Sequence, residues 1–228
     1  NDVNKIEKTF NENLKVKKIK KLINPTYDEC INKLDAFLKK YSFKEGSQLL
    51  FYFAGHGVYK NLEPKILFKD SPKDFRNNCY MVRELLNKIR IKIGETGLTK
   101  ALIVIDACNQ GQNKNDYNNF KKIDTHPISK YTRDQERKFM NQKTEILITS
   151  TSPNEEASDG ANNNSPFCNS FVSSIIENCK NRLFTNHELF RDLKQYDREN
   201  KGTKTLRHTN YILNGNDYED GRFFFFRK

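Results

Sequence analysis

Apolar positions recur along this chain in two rhythms, one helical and one strand-like. Val3, Ile6, Phe10 and Leu14 fall on one helical face, which predicts an amphipathic helix over Asp2–Leu14. Val16–Ile23 then alternates apolar residues with Lys, the pattern of an edge strand with one solvated face. Thr26 and Glu29 have capping-box spacing, and Ile31, Leu34, Phe37 and Leu38 give the helix that follows a buried stripe. Gln48–Ala54 is a continuous apolar run, as expected of a strand in the centre of a parallel sheet. Leu62–Phe68 predicts a short strand, and Met81–Ile91 a helix with Val82, Leu85, Leu86 and Ile89 inward. Lys100–Asp106 and Glu145–Ser150 predict two more central strands. Ser165 and Pro166 open a helix through Phe167, Phe171 and Ile175. Thr185 and Glu188 form a second capping-box pattern, for a helix reaching Arg198. Lys204–Leu213 and Gly221–Phe226 read as late strands.

Strands that alternate with helices define an α/β class with a mostly parallel sheet. The 228 residues suit one sizeable domain. Asn109–Lys143 breaks the alternation: it is polar, lacks periodicity and carries eight Lys or Arg. A stretch of that length inside a compact domain reads as a functional or disordered loop.

Composition narrows the classes. No apolar run approaches the ~20 residues of a membrane span, and no signal peptide is visible, so no membrane partner is expected. The net charge of +11 comes from Lys scattered among Asn, without a dense basic tract. That is a solvated surface rather than a nucleic-acid groove, although salt-dependent binding would test the alternative. The five Cys are odd in number and irregular in spacing, with no CxxC and no Cys/His cluster at zinc-ligand spacing. A reducing, cytoplasmic setting with no metal or other cofactor is therefore the expectation.

The chemistry lies in two segments, Leu49–Tyr59 (LLFYFAGHGVY) and Ala101–Gly111 (ALIVIDACNQG). Each apolar run stops abruptly at small and polar residues with one reactive side chain at the break. His56 and Cys108, 52 positions apart, supply the parts of a thiol nucleophile and its imidazole base. Ligands in open α/β sheets sit beyond the carboxyl ends of the strands, where both residues fall. Gly55 and Gly57 flank His56 and let the backbone approach a substrate closely.

GHG after one strand, DAC-x-x-G after a second and ITSTSPNEEASDG after a third resemble, in that order, the caspase-like cysteine peptidases. Within that superfamily the resemblance is to metacaspase-like or bacterial caspase-like members. It implies a three-layer sandwich, with a mostly parallel sheet flanked by helices, as one peptidase domain over residues 1–228. Residues 1–108 would be the large-subunit part, 109–143 the linker or activation loop and 144–228 the small-subunit part. Asn1-Asp2-Val3 is similar to the helix start just after the family's first strand, which an upstream segment or a partner chain would supply. By resemblance Cys108 is the nucleophile and His56 the base, and the N–H groups of Gly57 and Cys108 form the oxyanion hole. Asp2 and Asp106 match acidic S1 positions that favour a protein or peptide substrate with Arg or Lys at P1. An enzyme of that specificity could process itself at Lys121, Lys122, Lys130 or Arg133, as a zymogen does. Calcium activates some metacaspases, but no EF-hand-like loop occurs here. The competing reading is a catalytically silent caspase-like module that binds or regulates other proteins.

Overall fold

The computed structural model describes residues 1–60, 63–73, 77–107, 133–150, 164–199, 209–212 and 222–228. Its central sheet has the strand order β1-β5-β6-β8. β1 (Ser47–Gly55), β5 (Leu98–Ala107) and β6 (Thr144–Thr149) run parallel, and β8 (Thr209–Ile212) closes the far side antiparallel. Every residue of β5 and β6 is buried, which explains why both read as unbroken apolar runs rather than as alternation.

Strand parity divides the core into two faces. Leu102 and Val104 of β5 and Ile146 and Ile148 of β6 pack with Ile6 and Phe10 of α1 (Asp2–Asn13) and Phe167, Phe171 and Ile175 of α5 (Pro166–Asn178). Ala101, Ile103 and Ile105 face the other way, toward Leu34 and Leu38 of α2 (Tyr27–Lys40) and Leu85 and Ile89 of α3 (Val82–Glu95). Helices on both faces of a parallel sheet make the expected three-layer α/β sandwich. Leu50 and Tyr52 of β1 belong to the α1/α5 face.

Local signals explain several boundaries. Thr26 accepts from the Glu29 N–H and Glu29 reaches back to the Thr26 N–H, the reciprocal capping box that starts α2. Ser165 accepts from the Cys168 N–H at the start of α5, with Pro166 in its first turn. The box expected at Thr185 is half formed. Glu188 accepts from the Thr185 N–H, whereas the Thr185 hydroxyl accepts from His187 rather than Glu188. Helix α6 (Asn186–Glu199) begins there, directly after β7 (Leu183–Thr185), which pairs with β9 (Phe224–Phe226).

Three expectations require correction. Val16–Ile23 is not a strand: no described strand lies beside it, and Val16, Ile19 and Ile23 are exposed. Alternation supplies a strand's two faces but not its neighbour, and an unpartnered strand has little to hold it. Among the described strands β1 lies at an edge of the sheet rather than at its centre. It pairs only with β5 among the described strands, and most of its residues are half-buried where those of β5 are fully buried. Lastly, the stretch read as aperiodic over Asn109–Lys143 contains helix α4 (Arg133–Asn141), anchored by Phe139. The buried Lys100 holds its end, donating to the carbonyls of Phe139 and Gln142 at 2.7 and 2.6 Å. A small antiparallel sheet of β2 (Gly57–Lys60), β3 (Glu63–Leu67) and β4 (Cys79–Met81) follows β1 directly.

Candidate active site

The register of β1 against β5 sets out the site. The two strands pair residue by residue from Gln48↔Lys100 to Ala54↔Asp106 and Gly55↔Ala107. The next residue after Gly55 is His56, and the next after Ala107 is Cys108. His56 is exposed at the mouth of the sheet, and its carbonyl accepts from the Leu67 N–H at 2.9 Å. That bond ties the base candidate's backbone to β3, so the turn out of β1 is braced by the small sheet. Gly57 opens β2 opposite Ile66. Cys108 lies outside the described residues, as do Lys121, Lys122 and Lys130. Arg133 is the exposed first residue of α4, so cleavage after it would require the first helical turn to unwind.

Asp106 is buried, 4% exposed, on the face shared with α1 and α5. Its Oδ2 accepts two hydrogen bonds, from the Tyr52 hydroxyl at 3.0 Å and from the Ser165 hydroxyl at 2.5 Å. Burial pushes its carboxyl up to about 6, and the negative charge of Asp2 adds to the rise. The hydroxyls of Ser165, Tyr52 and Ser150 oppose it. Asp2 is the first residue of α1, with Asn1 as N-cap. Its Oδ1 instead accepts from Asn164 Nδ2 at 2.7 Å and from the Ser165 N–H at 3.2 Å. The structure thus brings Asp2 and Asp106 together across one residue, Ser165. No described cation bonds either carboxylate.

Tyr52 and Ser165 were not singled out for this site by sequence reasoning. Tyr52 passes as one more apolar residue in LLFYFAG, and Ser165 is legible only as a cap. Strand parity holds the missed signal: Tyr52 stands two residues before Ala54, the register partner of Asp106, and so shares its face.

Three of the four described cysteines are poor nucleophiles, the half-buried Cys79 being the fourth. Cys30, Cys168 and Cys179 are buried, and burial raises all three thiols, Cys30 to about 11 and Cys168 to about 12. Among the described residues no group of His, Cys, Asp and Glu could hold a metal ion. No described helix is long and apolar enough to cross a membrane.

The mostly parallel α/β sandwich thus carries a histidine just past the end of β1 and, at the end of β5, Asp106, which Ser165 links to Asp2 of α1. The family model of the caspase domain matches residues 1–205, and the chain belongs to that family of peptidases. No curated protein matches the chain.

Proposed function

We propose that the chain is a cysteine endopeptidase that uses Cys108 and His56 to cut proteins after Arg or Lys. The observation that carries this reading is the Gly55↔Ala107 register, which ends one peptide bond short of each reacting residue. Consecutive Cα atoms are only about 3.8 Å apart, so neither residue can stray far from the adjacent strand ends. His56 takes the proton from the Cys108 thiol, and the sulfur attacks the scissile carbonyl carbon. The carbonyl oxygen becomes an oxyanion held by the N–H groups of Gly57 and Cys108. Collapse breaks the C–N bond as His56 returns the proton to the leaving amine. Water, deprotonated by His56, then attacks the thioester and releases the acid and the thiol.

Specificity comes from Asp2 and Asp106. Two carboxylates in a cleft attract a guanidinium or ammonium group and repel a substrate carboxylate. The test compares fluorogenic peptides that differ only at P1: those with Arg or Lys should be cut faster than those with Asp, and a preference for Asp would overturn the reading. Processing at Lys121, Lys122 or Lys130 follows from the same specificity. It would be read as chain fragments that form with active enzyme and not with Cys108→Ala.

We further propose that the open edge of β1 receives a strand, from residues upstream of Asn1 in a parent protein or from a partner chain. The half-buried residues of β1 and the exposed Val16, Ile19 and Ile23 support this. Alternate amides of Leu49–Phe53 point away from β5. They should exchange quickly with deuterium in this chain and slowly in the longer parent or the complex. Fast exchange in every setting would contradict the proposal.

A further inference from the structure

Ser165 makes bonds of fixed polarity. Its Oγ accepts from the Cys168 N–H at 2.8 Å, so its single hydroxyl hydrogen remains for Asp106 Oδ2 at 2.5 Å. Its backbone N–H donates to Asp2 at 3.2 Å. One residue at the start of α5 therefore faces both carboxylates, one with its side chain and one with its main chain. From the opposite wall, Tyr52 donates to the same Oδ2 at 3.0 Å, with its ring 5.6 Å from that of Phe171. Both bonds end on one oxygen, and each is stronger to the ionised carboxylate than to the neutral acid.

We propose that Tyr52 and Ser165 are positioning residues of the specificity pocket, clamping Asp106 by Oδ2 so that its ionised form is favoured and held toward a basic substrate side chain. This rests on the reading of Asp106 as an S1 residue. Neither hydroxyl touches the reacting atoms. Their effect is on the charge and the orientation of the group that does the recognising.

The groups facing Asp106 set the direction of every expected shift. Tyr52 comes from β1, Ser150 follows β6, Asp2 lies on α1, and Ser165 and Cys168 lie at the start of α5. Among the described residues Lys5 of α1 is the cation that acts on Cys168, and its Nζ donates to Asn169 Oδ1 at 2.5 Å. The two hydroxyls favour the ionised form of Asp106, and Asp2 opposes it. Removing a hydroxyl should therefore raise the pH at which Asp106 ionises, and neutralising Asp2 should lower it.

The test follows the Asp106 carboxyl by carbon-13 NMR across pH in the full chain, alongside steady-state kinetics with an Arg-P1 peptide. Tyr52→Phe keeps the ring and removes one donor. Its Asp106 midpoint should rise by about one pH unit, which at a pH near the midpoint is a several-fold to tenfold rise in KM. The kcat, and the rate at which iodoacetamide alkylates Cys108, should stay within about twofold. Ser165→Ala should move the midpoint the same way. Ser165→Thr keeps both the donor and the cap and should restore it, which separates positioning from mere loss of a helix cap. An unchanged midpoint in folded Tyr52→Phe and Ser165→Ala would overturn the clamp. A midpoint that rises while Arg-P1 and neutral-P1 peptides are cut alike would uphold the clamp on Asp106 and overturn its place in S1.

Discussion

Cys108→Ala is expected to lower peptide cleavage by about three orders of magnitude or more, without unfolding the chain. The substitution removes the attacking sulfur and leaves a small side chain. The buried Cys30, Cys168 and Cys179 cannot take over, because burial holds their thiols protonated at neutral pH. His56→Ala should cost nearly as much, since the thiol would lose its base and the leaving amine its proton donor. His56 is exposed, so its loss opens no cavity in the core. Melting temperature and hydrolysis of a fluorogenic peptide check both halves of the prediction. Substantial turnover by Cys108→Ala would remove Cys108 as the nucleophile, whereas a parent chain that cuts no peptide would leave the silent-module reading in its place.

Peptides with Arg or Lys at P1 should outrun otherwise identical Asp-P1 peptides by about a hundredfold or more. A substrate carboxylate held against buried Asp106 would lose its hydration and gain no partner. The preference should depend on pH with a definite sign. The Asp106 carboxyl is raised to about 6, so it is mostly ionised above that value and neutral below it. KM for an Arg-P1 peptide should therefore climb as pH falls through about 6, an effect carried by binding rather than by kcat. Asp106→Asn should remove that dependence and weaken Arg-P1 cleavage, while Cys108 still reacts with iodoacetamide. A preference for Asp at P1 would mean that the two carboxylates do not line the pocket.

Much of this architecture was legible before any coordinates. The apolar runs that became β5 and β6 are buried on both faces, and such runs announce themselves. The Thr26–Glu29 box and the Ser165 cap located two helix starts to the residue. The misses have a common cause, in that neighbours decide what pattern alone cannot. Val16–Ile23 has strand rhythm without a described strand to pair with. The three residues of β4 are too few to carry a period. Helix α4 hides in RDQERKFMN, where Phe139 and Met140 are the only large apolar residues. In the site, Asp2 and Asp106 were visible through a family resemblance, but the bridge between them was not. Residues 165 and 2 are brought together by the packing of α5 against α1, which a linear reading does not contain.

The buried Asp106 also makes the end of β5 a weak point of the fold once its carboxyl is ionised. Its carboxyl titrates near 6 in the native state against 3.8 for the ordinary side chain, so the native state holds the proton more tightly than the unfolded chain does. Stability from this group is present below about pH 4 and is lost as pH rises through about 6. The difference at neutral pH is on the order of 3 kcal/mol. Asp106→Asn can accept from both hydroxyls without the charge, so it should melt at a higher temperature than the parent at pH 7.5, and at much the same temperature near pH 4. A parent that melts higher than Asp106→Asn at pH 7.5 would count against a destabilising charge. The same deficit makes the chain a reporter of its own ligands: a small amidinium such as benzamidine, seated between Asp2 and Asp106, should raise the melting temperature of the parent and leave that of Asp106→Asn almost still.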